Sequence, residues 1–276
     1  MKPFRKVSSL AEFIAVVTDS ACREALRTED FWYRGHRQST WTLAPSMYRP
    51  LSPNESPRPN EQYLYHEFRA RALQRHRETP AFEDIGSWIA LMQHYRLPTR
   101  LLDWSRSPLI AAYFAVEDYI YNQNLEPIEN AAVWLMSPWN LLKIQGIKDS
   151  ILTIQSGKVR DILGHAFYGE RYTLTQDEKA RRLKANIPDD KLILPVYASE
   201  IDMRMFVQQG AFTVHQLKEP IESFQWASDV VMKIEIDREY VHSFAAAVSR
   251  CGLRKGDVYP DLDSLSFDLA KGPERY

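Results

Sequence analysis

The sequence predicts an α+β fold: a single domain over residues 1–276 in which a helical N-terminal part packs on a mostly antiparallel sheet. Helical periodicity dominates the first half of the chain, whereas runs of β-branched and aromatic residues lie mostly in the second half. The chain has 276 residues, 45% of them hydrophobic, which is enough to bury one large core.

Capping signals and apolar periodicity place the helices. Ser9, Asn60 and Ser107 each stand where an N-cap belongs, Pro108 fits the first position of a buried central helix, and Gly252 fits the end of the last one. The predicted helices cover 10–26, 60–77, 85–95, 108–121, 178–185 and 238–252. The predicted strands cover 31–35, 99–104, 131–136, 191–198, 204–208, 212–215 and 230–236.

Composition excludes several classes of protein. With 35 basic and 36 acidic residues the formal charge is -1, so a general nucleic-acid or membrane-surface binder is not indicated and any polyanion site must be local. We expect a cytoplasmic protein without membrane contact, because no window is apolar enough to span a bilayer. Cys22 and Cys251 lack metal-ligand spacing, and we expect both, like Trp139, to be core residues.

The segment "LMQHYRLPTRLLDWSRSPLIAAYFA", residues 91–115, carries more polar side chains than a loop of this length needs. In a structural interpretation Asp103 pairs with Arg100 before the buried helix, and His94 is a hydrogen-bonded supporting residue. In a functional interpretation Ser105 and Ser107, at a helix N-terminus, face a phosphate or a ribose. Arg34 or Arg100 then supplies a charge clamp.

The segment "FWYRGH", residues 31–36, places Arg34 beside Gly35 at a strand end. It is either a structural arginine paired with a carboxylate, or a bidentate ligand for a diphosphate or carboxylate. In the second case a neighbouring aromatic stacks on a planar ring, and His36 is a further contact.

The segment "EIDMRMFVQQGAFTVH", residues 200–215, holds Gln208, Gln209 and Gly210 between two apolar halves. Gly210 indicates a bulge or a tight approach, and one glutamine points inward either as a structural amide or as a site residue. The chain contains no H-x-x-x-H pair, P-loop, G-x-S-x-G elbow or C-x-x-C, so the sequence gives no support for a metal hydrolase, P-loop NTPase or serine hydrolase.

Together with "CGLRKGDVYPDLDSL", residues 251–265, these segments resemble the FRG domain family of bacteria and phages, over nearly the whole chain. The resemblance implies a setting of biological conflict, such as a toxin or a phage-defence factor.

A more remote resemblance is to the ADP-ribosyltransferases, in which an early-strand Arg or His, a serine before a helix and a late Glu or Gln hold NAD. Arg34, Ser105 and Gln208 occur in that order. The resemblance implies that Arg34 and Ser105 hold the phosphate and nicotinamide ribose of NAD, and that Tyr33 or Tyr113 stacks on nicotinamide. Further cofactor contacts are implied for Gly35, His36, His94, Arg100 and Ser107.

Gln208, the third of these residues, is an amide and not a carboxylate, and this leaves the chemistry open. Cleavage of the nicotinamide–ribose bond passes through an oxocarbenium-like state that a carboxylate stabilises, and Gln208 cannot act as a base. Asp103 or Glu200 supplies the carboxylate, or the reaction needs positioning only, or the site binds without reacting.

Three functions are therefore carried forward. The leading one is transfer of ADP-ribose from NAD to a macromolecular acceptor, protein or nucleic acid, with no metal. The second is a non-catalytic module that binds a nucleotide or a partner. The third is a nuclease that uses Arg34, His36, His94 and Asp103, although one carboxylate falls short of a two-metal site.

Overall fold

The computed structural model describes residues 1–51, 56–76, 78–147, 150–168, 192–198 and 203–271. These residues form one eight-stranded sheet in the order β1-β8-β4-β2-β3-β7-β6-β5. The outer pairs β1–β8 and β5–β6 are parallel and the others are antiparallel, so the predicted α+β fold with a mostly antiparallel sheet is confirmed. The strands are β1 (Arg5–Val7), β2 (Trp32–His36), β3 (Leu101–Ser105), β4 (Ala131–Met136), β5 (Leu152–Thr153), β6 (Ile193–Tyr197), β7 (Gly210–His215) and β8 (Val231–Ile236).

Helices cover both faces of the sheet. In chain order they are α1 (Leu10–Thr18), α2 (Ser20–Leu26), α3 (Glu61–Ala72), α4 (Ile85–His94), α5 (Pro108–Tyr121), α6 (Pro138–Ile144), α7 (Gly157–Tyr168), α8 (Met203–Val207), α9 (Val241–Arg250), α10 (Lys255–Val258) and α11 (Leu262–Lys271). Helices α1, α2, α5 and α9 share one apolar cluster with β2, β4 and β8. Helices α3, α4, α6 and α7 share a second cluster with β3, β6 and β7. No helix in the described ranges is long and apolar enough to cross a membrane.

Helix α5 crosses directly over β2, as its nearly all-apolar surface predicts. The approach depends on Gly35, because a Cβ there would lie 2.0 Å from the carbonyl oxygen of Ala111 and 2.5 Å from the nitrogen of Ala115. The close approach at this glycine is therefore made by a helix, which fixes α5 against the centre of the sheet.

Strands β2 and β3 separate in the middle of the sheet. They are in register only at Tyr33 and Ser105, whereas β2–β4 and β3–β7 each continue over five residue pairs. Beyond that single pair, the Arg34 Nη1 atom donates a hydrogen bond of 2.7 Å to the backbone carbonyl of Asp103. A side chain thus takes a position that a backbone ladder bond fills elsewhere in the sheet.

The predicted N-caps are confirmed. The side chain of Ser9 accepts from the Glu12 N–H (3.2 Å), that of Asn60 from Tyr63 (2.7 Å) and that of Ser107 from Ile110 (3.4 Å). Each cap is read from a few neighbouring residues, which is why the sequence predicts it well.

Other predictions were wrong. The helix expected over 10–26 is two helices, because Asp19 leaves the helical conformation and caps α2 through the Ala21 N–H. The strand expected over 204–208 is helix α8. Cys22 is buried as expected, but Cys251 and Trp139 are exposed. The predicted helix 178–185 lies outside the described residues.

Candidate functional site

A cleft of about 380 Å³ opens where β2 and β3 separate. Its walls come from these two strands, the end of α4, helix α5, helix α8 and the connection after β2. Six residues singled out in the sequence line it: Tyr33, Arg34, Gly35, Asp103, Ser105 and Gln208. The fold therefore brings together three segments that are far apart in the chain.

The cleft is strongly cationic. Arg34, Arg49, Arg96 and Arg204 line it, and the acidic side chain among the described lining residues is that of Asp103. Four guanidinium groups against one carboxylate leave a surplus of positive charge in a concave site, although the whole chain carries a formal charge of -1. This local excess is typical of a binding site for phosphates or carboxylates.

Arg34 is largely buried in the cleft, with a side chain 16% exposed. Its Nε atom donates to His36 Nε2 (2.9 Å) and its Nη1 atom lies 3.6 Å from a carboxylate oxygen of Asp103. Burial, helped by the charge of Arg49, lowers the pKa of Arg34 to about 10. The side chain still carries its charge at neutral pH.

Asp103 is held in place by a chain of two hydrogen bonds. Its Oδ2 atom accepts a hydrogen bond of 2.8 Å from the Gln93 amide, whose oxygen in turn accepts one of 2.5 Å from the Thr99 hydroxyl. The Asp103 side chain is 52% exposed, so an oriented carboxylate faces the cleft.

The pairing expected between Asp103 and Arg100 is wrong. Arg100 instead forms a bidentate ion pair with Glu61, its Nη2 atom lying 2.6 Å from Oε2.

Ser105 and Gln208 lie together, but their polar groups bond within the protein. The Ser105 hydroxyl donates to the Gln208 carbonyl (2.7 Å) and accepts from the Ser107 N–H (3.0 Å). The Gln208 amide donates to the Val258 carbonyl (3.0 Å). A Cβ on Gly210 would lie 2.6 Å from the Met205 Cε, so this glycine does mark a tight approach. These contacts tie the end of β3 to the turn between α8 and β7.

No role was predicted for the other three arginines. Arg49 donates through Nε to the Ala44 carbonyl (2.9 Å), and burial lowers its pKa. Arg96 follows α4 with a φ of 62° and is exposed. Arg204 donates to the His94 carbonyl (3.5 Å), and its guanidinium carbon lies 4.9 Å from the ring centroid of Tyr259. The sequence signal that could have identified them as site residues is weak, because each lies at the end of an element or in a short helix.

Phe114 is the aromatic side chain of α5 that lines the cleft, with its ring edge-on to Tyr259 at 6.2 Å. Tyr113 is fully buried and donates to Glu117 (3.2 Å) away from the cleft. Tyr33 lines the cleft but is largely buried and packs against Phe31, and burial raises its pKa to about 12. Phe114 is therefore the ring best placed to contact a ligand.

The remaining predicted residues lie behind or beside the cleft. His36 is buried behind Arg34, and burial together with the charges of Arg34 and Arg49 holds its pKa well below the ordinary value, so the ring is neutral. His94 packs its ring against Tyr95 at 5.0 Å, and Ser107 caps α5. Glu200 lies outside the described residues. Within the described ranges, no three His, Cys, Asp or Glu side chains are grouped to hold a metal ion.

Comparison with known proteins gives one match. Residues 29–124 match the family model of the FRG domain, a range that runs from β2 through α5 and includes Arg34, Arg49, Arg96 and Asp103. No curated protein and no solved structure matches the chain. The match confirms the resemblance for the motifs between residues 29 and 124, and most of the residues that line the cationic cleft lie in that range.

Proposed function

We propose that the cleft binds NAD through its diphosphate and that the protein transfers ADP-ribose from NAD to a macromolecule. The observation that carries the proposal is the set of four arginines around one oriented carboxylate. Guanidinium groups bind phosphate oxygens in a bidentate manner, and a partly enclosed cleft strengthens that interaction relative to open solvent. Phe114 offers a planar surface for a base or for nicotinamide.

Asp103 is the group that we assign to the reaction. When the bond between C1′ of ribose and nicotinamide breaks, the bonding pair leaves with nicotinamide and positive charge develops on the sugar. The Asp103 carboxylate stabilises that charge and takes the proton of the acceptor nucleophile as the nucleophile bonds to C1′. Gln208 has no basic group, and its amide is engaged by Val258.

The test is release of nicotinamide from NAD, followed by chromatography with and without cell lysate. We expect Asp103→Asn, which keeps the shape and the contact with Gln93, to lower turnover at least about 100-fold while NAD binding persists. Arg34→Ala is expected to weaken NAD binding. Arg23→Ala, an exposed arginine of α2 outside the cleft, is the matched control and should behave as wild type. Full turnover in Asp103→Asn would remove this residue from the mechanism.

A binding module without catalysis is the second candidate. It is favoured by the internal hydrogen bonds of the Ser105 hydroxyl and the Gln208 amide, since groups already bonded within the protein have less to offer a substrate. In that case NAD stays intact during long incubation while still raising the melting temperature by mass action.

A nuclease receives less support from the geometry. His36 accepts a hydrogen bond from Arg34 and is neutral, and the ring of His94 packs on Tyr95 outside the cleft. The toxin or phage-defence setting stays a prediction from the family resemblance.

A further inference from the structure

The contacts of the four cleft arginines group them into two pairs. Arg34 lies on β2, and Arg49 lies near enough for its charge to help lower the pKa of Arg34. In the second pair, Arg204 of α8 bonds to the carbonyl of His94, the last residue of α4, and Arg96 follows two positions later. The positive charges of Arg96 and Arg204 both act on the Tyr259 phenol.

The backbone of Arg96 is in an unfavourable conformation for its residue type. Its φ of 62° lies in the left-handed region, which glycine or asparagine usually occupies after a helix. An arginine there is disfavoured by steric contact between its Cβ and the backbone. Among the described residues, the charge of its guanidinium acts on the Tyr259 phenol, and no hydrogen bond or ion pair of that guanidinium offsets the strain.

Strain of this kind is common where a side chain has to be presented to a ligand. The left-handed turn ends α4 and leaves Arg96 exposed at the wall of the cleft, beside Leu97, which also lines it. Arg204 is held at the same wall by the His94 carbonyl and the Tyr259 ring. Arg96 and Arg204 thus share the wall formed by the end of α4 and by α8, whereas Arg34 and Arg49 come from β2 and from the connection after it.

We propose that Arg96 and Arg204 form a second anion subsite, which takes one phosphate of a diphosphate ligand while Arg34 and Arg49 take the other. The proposal deepens the proposed function, because it makes a diphosphate, rather than a monophosphate, the group that the cleft selects. The strained turn at Arg96 is then the means of placing a charge where the second phosphate lies.

The experiment measures binding of two probes, inorganic pyrophosphate and inorganic phosphate, by titration calorimetry. Wild type is expected to bind pyrophosphate more tightly than phosphate. Arg96→Gly should weaken pyrophosphate binding about tenfold, since one charge-assisted contact is lost, and should change phosphate binding less than about twofold. Because glycine fits the left-handed turn, the same variant should melt about 1–3 °C higher than wild type.

Arg27→Gly is the matched control. Arg27 ends α2 with a φ of 49°, is exposed and lies outside the cleft. Its replacement by glycine should raise the melting temperature in the same way and leave the affinity for both anions unchanged. Arg96→Lys, which keeps a charge and loses the planar fork, should recover part of the pyrophosphate affinity.

The results separate this proposal from the function proposed above. If Arg96→Gly binds pyrophosphate as tightly as wild type, or if wild type binds neither anion, the second subsite does not exist. If Arg96→Gly loses pyrophosphate affinity as expected while wild type leaves NAD intact, the subsite stands and the transferase function falls.

Discussion

Two arginines of the range that matches the FRG domain model show how partners decide the role of a residue. Arg100 is bonded to both carboxylate oxygens of Glu61 on α3. Its charge is therefore neutralised by an ion pair that joins α3 to the start of β3. Arg34 bonds mainly to a neutral histidine and to the backbone carbonyl of Asp103, whereas the Asp103 carboxylate oxygen lies 3.6 Å away. Arg34 therefore keeps charge that an anion can use, whereas Arg100 does not.

The ion pair of Glu61 and Arg100 gives a prediction for stability. Glu61→Ala leaves a largely buried guanidinium without its carboxylate, and we expect the free energy of unfolding to fall by about 3 kcal/mol. Urea denaturation measures this change. Glu67→Ala on the same helix removes an exposed i,i+4 pair with Arg71 and should cost less than about 0.5 kcal/mol. Equal costs would show that burial does not strengthen the Glu61 pair.

At this scale the sequence predicts which residues are polar and close in the chain, but not which ones meet. Arg34, Asp103, Ser105 and Gln208 were singled out from their motifs, and the fold places all four at the cleft. The partner of Asp103 was predicted wrongly, because Arg34 and Gln93 reach it only after β2, β3 and α4 have packed. Arg49 lies outside those motifs, and Arg204 lies in a segment that was predicted as a strand and is helix α8.

At the scale of elements, the contact of α5 with β2 gives a sharper test than any single hydrogen bond. A methyl group at Gly35 overlaps the backbone of α5, and helix backbone cannot rotate away as a side chain does. We expect Gly35→Ala to lower the free energy of unfolding by about 2–4 kcal/mol, measured by urea denaturation.

Gly157 supplies the control for that substitution. It is the first residue of α7, and a Cβ there would meet nothing within 4 Å. Gly157→Ala should therefore leave stability unchanged or raise it by about 0.5–1 kcal/mol. A mild effect of Gly35→Ala would mean that α5 can shift on β2, and the walls of the cleft would then be less fixed than the geometry indicates.

Element prediction succeeded where the signal is local and failed where packing decides. Ser107, Pro108 and the apolar run after them define α5 without help from the rest of the chain. The five residues Met203–Val207 have too short a pattern to separate a strand from one helical turn. Their helical form accompanies the contact of Met205 with Gly210, which only the folded chain supplies.

At the scale of the whole molecule, two buried histidines predict how stability varies with pH. Burial, together with the charges of Arg34 and Arg49, lowers the pKa of His36 well below its ordinary value. Burial, together with the charges of Arg100 and Arg34, lowers the pKa of His215 to about 3. Below about pH 6.5 the unfolded chain binds protons at both positions and the folded chain does not. Stability should fall with decreasing pH, by about 1.4 kcal/mol per pH unit for each histidine.

His215→Asn tests this expectation in thermal or urea unfolding between pH 7 and pH 5. The variant should lose about half of the slope attributed to the two histidines. Thr213→Val removes the hydroxyl that lies 2.8 Å from His215 Nε2 without removing the titrating ring, so it should lower stability while keeping most of the slope. Burial raises the pKa of Glu117 and Glu222, which acts in the opposite direction as the pH rises above about 4.5, and the comparison between variants cancels that contribution. An unchanged slope in His215→Asn would contradict the assignment.

The single residue pair that joins β2 to β3 has a mechanical consequence. The half-sheet that contains β2 and the half-sheet that contains β3 meet at the pair Tyr33 and Ser105, which forms a hinge between them. The hydrogen bond from Arg34 to the Asp103 carbonyl is a further link beside this hinge. Arg34 is carried by one half-sheet, whereas Arg204 precedes β7 of the other. A ligand held by both arginines would link the two half-sheets across the hinge. The stiffness of the molecule would then depend on which ligand occupies the cleft.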